Sequence, residues 1–189
     1  MKTGIHLIGR FVVLVAASSC SPDFKAYTDY DRDFNIREFP YYTWADDLEM
    51  EERNNPLYYN ELNDKRIRNA VNRQMKNKGY VLTDNNPELK IHYHIVVEDR
   101  TEYYTDPYGY YGPYWRRSYA YSYQYKQGTL IIDLMDASNK NLLWRGWVTG
   151  VLAEAQDSSK AEYMIEKAVA DIFEKLPQAI QTEKPISRK

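Results

Sequence analysis

Apolar and polar residues alternate along several stretches of the chain, and this period of two predicts β-strands. The clearest alternation covers residues 89–97, where every second side chain is apolar or aromatic, as in a strand with one buried face. A second long strand is expected over about 119–135, with a return strand over 142–148. Looser alternation predicts shorter strands over 23–31 and 39–44, the latter limited to a sheet edge or a strand start by its proline.

A tight turn over residues 136–140 would join the second long strand to the return strand as a hairpin. In the register that this turn favours, Ile132 lies opposite Trp144 and Leu134 lies opposite Leu142. Apolar side chains then face each other across the pair, which is the arrangement expected for an antiparallel sheet with one buried face.

Two further segments show the spacing of three and four residues that is typical of amphipathic helices. The first is capped by Asn63 or Asp64 and stops at Gly79. The second opens on a capping box of Ser159 and Glu162 and is closed by a proline. The buried faces would consist of Ile67, Ala70, Val71, Gln74 and Met75 in the first helix and of Ile165, Ala168, Val169, Ile172, Phe173 and Leu176 in the second.

Together these elements predict an α+β fold. Hairpin connections favour a largely antiparallel sheet of about five to six strands, and two one-sided helices would pack on one face of it. The chain shows no internal repeat and no linker, so a single domain is expected over residues 23–180. Residues 181–189 are polar and are expected to form a disordered tail.

The N-terminus has the pattern of a secretory signal peptide. Two basic residues precede an apolar run over residues 11–17, which is too short for the roughly 20 residues of a transmembrane helix. The run leads into Ala17-Ser18-Ser19-Cys20, which resembles the lipobox of bacterial lipoproteins. The resemblance implies a signal peptide over 1–19, a lipidated Cys20 and a tether over 20–22. The alternative is a plain secreted protein with a buried free cysteine.

Composition excludes several classes of protein. The 189 residues carry 25 basic and 27 acidic side chains, so no basic excess points to nucleic acid. A hydrophobic content of 43% is that of a folded domain rather than a disordered chain. The single cysteine excludes an internal disulfide framework and a multi-cysteine zinc site. No cofactor is predicted.

Several short motifs over residues 23–177 coincide with those of one family. The most specific are Leu143-Trp144-Arg145-Gly146 and Gly128-Thr129-Leu130-Ile131-Ile132-Asp133. Others are Asp29-Tyr30-Asp31, Tyr41-Tyr42-Thr43-Trp44, Asn55-Pro56-Leu57, Lys78-Gly79-Tyr80 and the strand that contains His92-Tyr93-His94. Together they resemble the small bacterial lipoproteins grouped as domain of unknown function 4136. The resemblance implies an envelope lipoprotein of unassigned activity, with no catalytic residues to carry over.

His92 and His94 are spaced by two and therefore share one face of the predicted strand. Two imidazoles can bind a transition metal, with Glu98 or Asp133 as a candidate third ligand. The alternative is that the solvated face of a sheet simply carries two polar residues. A match of two residues without a fixed third ligand favours the second interpretation, so no metal site is predicted.

Asp133 and Arg145 are expected on neighbouring strands and on one face, diagonal to each other in the predicted register. As an exposed ion pair they would stabilise the hairpin by about 0.5 kcal/mol. As catalytic groups they lack a nucleophile or a partner base. The sequence also contains no nucleophile elbow, phosphate-binding glycine loop or metalloprotease motif, so we expect a protein that is not an enzyme.

Tyrosine is the most unusual feature of the composition, with 19 residues, of which ten lie between Tyr103 and Tyr125. Glycine and proline within this segment mark turns. Tyrosine combines an apolar ring with a polar tip, which suits contacts with proteins, glycans or a lipid interface. The candidate interaction loop comprises Tyr104, Tyr108, Tyr110, Tyr111, Tyr114 and Trp115. The alternative is that these rings merely cover an exposed hairpin.

The sequence favours a non-catalytic lipoprotein with a structural or interaction role, held on a membrane through Cys20. We expect it in the bacterial outer membrane, facing the periplasm or the cell surface, with an envelope protein or a glycan as partner. The alternative is a periplasmic module that binds a small ligand or a metal at His92 and His94. Only a few residues separate Cys20 from the first strand, so the domain would lie close to the bilayer.

Overall fold

A computed structural model describes residues 24–45, 58–105, 120–152 and 158–180. Its strands are β1 (Lys25–Tyr30), β2 (Tyr41–Trp44), β3 (Val81–Leu82), β4 (Leu89–Thr105), β5 (Ala120–Asp136) and β6 (Leu142–Leu152). Its helices are α1 (Glu61–Asn77) and α2 (Ser158–Glu174), and Ile36–Glu38 form a short 3-10 helix. The predicted signal peptide, tether and tail lie outside the described residues.

The strands form one sheet in the order β1-β6-β5-β4-β2-β3. β1, β6, β5 and β4 pair antiparallel, whereas β2 runs parallel to both β3 and β4. The two helices lie side by side on one face, where Arg73 of α1 donates a hydrogen bond to Glu166 of α2. The predicted α+β fold, with a mostly antiparallel sheet and two helices, is confirmed.

The hairpin of β5 and β6 differs from its predicted register by two residues. Leu134 lies opposite Trp144 and Ile132 lies opposite Gly146, with an irregularity after Leu134, so both predicted pairings are wrong. Packing explains the difference. A Cβ atom at position 146 would come within 2.4 Å of the Trp144 ring and 2.5 Å of Ile172. A glycine is therefore needed where the Trp144 ring and α2 approach the strand.

Both helices begin earlier than the sequence predicts. Asn60 caps α1, because its side chain accepts a hydrogen bond from the backbone amide of Asn63 at 3.0 Å. Neither Asn63 nor Asp64 is therefore the cap. The helix ends as predicted before Gly79, which has a positive φ of 87°. α2 begins one residue before Ser159, which lies in the first turn rather than at the cap.

The hydrophobic core lies between the helices and the face of the sheet that they cover. Trp144 and Phe173 meet there with ring centroids 5.9 Å apart. Burial is confirmed for Ile132, Trp144, Val169, Ile172 and Phe173. Ile165 is an exception, since this predicted core residue is only partly buried.

Three tyrosines belong to this core, and each has a partner for its hydroxyl group. Tyr42 donates to Asn72, Tyr80 donates to the carbonyl of Pro177, and Tyr93 donates to Asp64, at 3.1, 3.2 and 2.7 Å. Burial raises the pKa of Tyr42 and of Tyr80 to about 12. These bonds connect the sheet to α1 and to the segment that follows α2, so tyrosine has an internal role as well as a surface role.

Candidate functional site

The sheet face opposite the helices, which we call the open face, carries the polar residues that the sequence singled out. β4 contributes His92 and His94, β5 contributes Asp133, and β6 contributes Arg145. The strand register places His92, Asp133 and Arg145 in one row, with Asp29 of β1 at its end. The structure therefore brings together the two pairs that the sequence considered separately.

Asp133 is buried in this row, with 4% of its surface exposed. Arg145 lies directly opposite rather than diagonally as predicted, and its Nε and Nη2 donate to the two carboxylate oxygens at 2.7 Å each. Burial alone would raise the pKa of Asp133, but Arg145 and the nearby His94 hold that pKa below its ordinary value. The pair is therefore ionised at neutral pH and joins β5 to β6.

His92 and His94 contact each other. Nδ1 of His92 lies 2.9 Å from Nε2 of His94, and that same Nε2 lies 3.6 Å from Oδ2 of Asp133. Both carboxylates considered as a third metal ligand, Asp133 and Glu98, are bound by arginine side chains. Within the described segments, no group of three His, Cys, Asp or Glu residues is placed to hold a metal ion. The geometry therefore favours a hydrogen-bonded polar row.

Among the described residues, β4 and β5 extend well beyond the rest of the sheet. β6 ends at Leu152, which pairs with Lys126. β4 and β5 remain paired past this point, through residues 100–105 and 120–125. At about 3.4 Å per residue, this two-stranded extension is about 20 Å long. We call it the tyrosine ribbon.

The tyrosine ribbon leaves the sheet at the end where the chain enters β1. This strand starts opposite Thr149 of β6 and finishes opposite Trp144. Its N-terminal end is therefore the end nearer the ribbon. Cys20 precedes Phe24, the first described residue, by four positions, which corresponds to at most about 14 Å of extended chain.

The tyrosine ribbon presents exposed aromatic rings. Tyr103 is 79% exposed, Tyr104 46% and Tyr123 57%. On the side continuous with the open face, Tyr123 stacks on Tyr125 with centroids 5.9 Å apart. Glu102 accepts hydrogen bonds from the hydroxyls of Tyr104 and Tyr125, and these bonds lower the pKa of Glu102. One carboxylate thus fixes two rings on the same surface.

The described part of the ribbon contains one residue of the predicted interaction loop, Tyr104. Tyr108, Tyr110, Tyr111, Tyr114 and Trp115 lie outside the described residues, as does Cys20. The ribbon adds Tyr123 and Tyr125 on the side continuous with the open face, and Tyr103 on its other side. Tyr123 and Tyr125 already lie in the strand predicted over 119–135, and extending the alternation past Val97 would have placed Tyr103 in its partner strand.

Apolar side chains continue from the tyrosine ribbon across the open face. Tyr27 of β1 and Trp147 of β6 stack with centroids 5.6 Å apart. Val96 and Val151 are 42% and 55% exposed. Sequence reasoning missed these four residues as surface candidates. The available signal is that β6 carries apolar residues at both odd and even positions, as in a strand with two partly apolar faces.

Comparisons with solved structures find likeness at low sequence identity. A PDZ domain protein from Parabacteroides distasonis is 13% identical with a TM-score of 0.48, and the match covers 78% of this chain but only 34% of that protein. A PelC variant and PelC itself, both dodecamers from Paraburkholderia phytofirmans, are 14% and 13% identical. Their TM-scores are 0.40 and 0.39, with 84% of this chain and 100% of each PelC chain covered. No curated protein matches the chain.

Neither helix in the described part of the chain is both long and apolar enough to cross a membrane.

The two most specific motifs, residues 128–133 and 143–146, form adjacent strands and supply Asp133 and Arg145. A family model matches residues 26–178, which include nearly all of the described fold. The chain therefore belongs to the family described as Domain of unknown function (DUF4136).

Proposed function

We propose that this protein is a non-catalytic lipoprotein of the bacterial envelope, anchored through Cys20 in the outer membrane, with the tyrosine ribbon as its contact surface. The observation that carries the proposal is a two-stranded extension of about 20 Å whose rings are up to 79% exposed. Tyrosine offers a large contact area at low conformational-entropy cost. Exposed aromatic clusters commonly mark contact sites.

The proposed anchor rests on the sequence pattern that ends at Cys20. Two or more acyl chains hold a protein stably on a membrane, because each buried methylene contributes about 0.8 kcal/mol. The direction of β1 supports a role close to the bilayer, since the chain enters the sheet at the end from which the ribbon projects. We therefore expect the partner to be an envelope protein or a glycan at the membrane surface.

The open-face row is proposed to stabilise the sheet rather than to bind a metal. Both oxygens of Asp133 are bound by Arg145, and within the described residues no third His, Cys, Asp or Glu side chain is placed to complete a metal site with His92 and His94. Metal analysis of the purified protein tests this point. A stoichiometric metal that His94→Ala removes would favour the metal-binding alternative.

Photo-crosslinking in intact cells tests the contact surface directly. A photoreactive phenylalanine analogue is placed at Tyr103, which is on the tyrosine ribbon, or at Tyr30, which is 59% exposed at the opposite end of β1. The proposal predicts a specific crosslinked product from Tyr103 and none from Tyr30. Equal products from both positions, or none from either, would contradict it.

Replacing residues 106–114, which hold most of the predicted interaction loop, by a short Asn-Gly turn tests whether that loop contributes to the contact. Residues 115–119 remain between this turn and Ala120, so the shortened loop still allows Thr105 to pair with Ala120, and the melting temperature should change by only a few degrees. The crosslink from Tyr103 should weaken. A large loss of stability with the crosslink intact would instead place the tyrosine segment in the core of the fold.

A further inference from the structure

An apolar pocket of about 170 Å³ lies between the helices and the sheet, at the end where the tyrosine ribbon begins. Its floor is the covered face of β4, β5 and β6, and its walls are the N-terminal halves of α1 and α2. The large side chains that face it include Phe24, Ile95, Leu130, Met164 and Ile165. This position explains why Ile165 is only partly buried.

Two glycines lie opposite each other in the floor of the pocket. Gly128 of β5 pairs with Gly150 of β6, and the Leu152 side chain and the Phe24 ring lie close over these glycines and line the pocket. A Cβ atom would come within 2.7 Å of the Leu152 side chain at position 128 and within 2.6 Å of the Phe24 ring at position 150. Ala161 on α2 keeps the facing wall small as well.

The mouth of the pocket carries one charge. Lys160 is exposed in the first turn of α2, and the other lining residues are uncharged. Within the described residues, no carboxylate pairs with its ammonium group. A ligand with an apolar body and an anionic end would therefore match both parts of the site.

We propose that this pocket binds the end of a single unbranched acyl chain and that Lys160 holds its anionic head. A dry apolar cavity of about 150 Å³ accommodates benzene, so a pocket of this volume takes roughly seven carbon atoms of a chain. The proposal does not depend on lipidation of Cys20, because a free carboxylate with a chain of about seven carbon atoms supplies both the apolar body and the anionic head. Its failure would leave the proposed role of the tyrosine ribbon untouched.

A series of straight-chain carboxylates tests the pocket on the full-length chain carrying Cys20→Ser, which cannot be acylated. Calorimetry or NMR titration should show one saturable site for octanoate. From butanoate to octanoate, Kd should fall about fourfold per methylene, which corresponds to about 0.8 kcal/mol each. Longer chains should gain little, because the pocket is then full. Absence of saturation, or a gain that continues with length as in non-specific adsorption, would overturn the proposal.

Two substitutions separate the apolar pocket from the charged mouth. Ala161→Phe, or the smaller change Ala161→Leu, should fill the pocket and abolish octanoate binding, whereas Ala137→Phe in the turn before β6 should not. Lys160→Gln should weaken octanoate binding by up to about fivefold at low salt, as expected for an exposed ion pair, and should leave 1-octanol binding unchanged. Lys140→Gln, in the same distant turn, is the matched control.

Two results from these variants would overturn the proposal. Octanoate binding that persists in a folded Ala161→Phe or Ala161→Leu protein would show that the chain binds elsewhere. An equal effect of Lys160→Gln on octanoate and on 1-octanol would exclude the assigned head-group contact. Repeating the titration on the acylated wild-type chain then distinguishes the occupants: retained binding supports a separate anionic amphiphile, and blocked binding, which shows that an uncharged acyl chain on Cys20 fills the pocket, would overturn the head-group assignment.

Discussion

At the scale of single residues, Asp133 shows how this fold accommodates a buried charge. Its carboxylate lies on a sheet face without helices yet is almost inaccessible, because Arg145 binds both oxygens and His94 stands 3.6 Å away. Removing one partner of such a pair leaves a buried charge uncompensated, and this costs more than the intact pair contributes. Arg145 is therefore expected to be needed for stability as long as the buried Asp133 is charged.

Arg145→Gln should lower the free energy of unfolding at pH 7 by about 1–3 kcal/mol. The larger loss of stability that follows from breaking a fully buried ion pair does not apply here, because the Arg145 side chain is 40% exposed and solvent screens its charge. The folded pKa of Asp133 is below its unfolded value of about 3.9. The contribution is thus present above about pH 4 and is lost as the pH falls through the lower folded pKa.

Urea denaturation at pH 7 and at pH 3 measures this difference. The gap between wild type and Arg145→Gln should be largest at pH 7 and should shrink at pH 3. Arg100→Gln is the control, since it removes an exposed pair with Glu98 and should change stability by less than about 1 kcal/mol. The same gap at both pH values would show that Arg145 acts through packing and not through the charge of Asp133.

At the scale of elements, the position of α2 depends on a small number of large contacts. Phe173 is fully buried and meets Trp144 across the interface between helix and sheet. Phe173→Ala should lower the free energy of unfolding by about 3–5 kcal/mol, the usual cost of truncating a buried aromatic residue. Thermal melting checks this, with Tyr163→Ala, a change at a 47% exposed position of the same helix, as control. A variant that melts like wild type would mean that α2 is docked differently.

The strands and helices also show how much of the fold the local spacing of apolar residues determines. Alternation and amphipathic spacing predict the two long strands and both helices, because one face of each must be buried. They do not predict the hairpin register, because it depends on Gly146 making room for the Trp144 ring and for Ile172. They also miss the parallel pairing of β2 with β3 and β4, which depends on contacts between distant parts of the chain.

The candidate site, too, could be predicted from the sequence only in part. Period-two spacing correctly puts His92 and His94 on one strand face, and composition draws attention to the tyrosines. The row that joins the histidines to Asp133 and Arg145 depends on the order and register of three strands. The spacing of residues along the sequence determines neither the strand order nor the register. The pocket is lined by residues of β4, β5, β6 and both helices, so it likewise requires the whole fold.

At the scale of the whole molecule, the structure concentrates its candidate contacts at one end of the sheet. The tyrosine ribbon, the mouth of the pocket at Lys160 and the N-terminal end of β1 all lie there. A lipid on Cys20 would hold this end within about 14 Å of the bilayer surface. Membrane attachment and contact through the ribbon should therefore be lost together when the anchor is removed.

Cys20→Ala should abolish metabolic labelling with a fatty-acid analogue and shift the protein out of the outer-membrane fraction. Its melting temperature should stay within a few degrees, because the matched domain starts at residue 26. The crosslink from Tyr103 should fall with membrane attachment, since the partner is expected at the bilayer surface. Ser21→Ala, one residue further on, is the matched control and should leave all four measurements unchanged. Labelling that persists in Cys20→Ala would contradict the proposed anchor, whereas lost labelling with an intact crosslink would show that the ribbon binds its partner independently of the membrane.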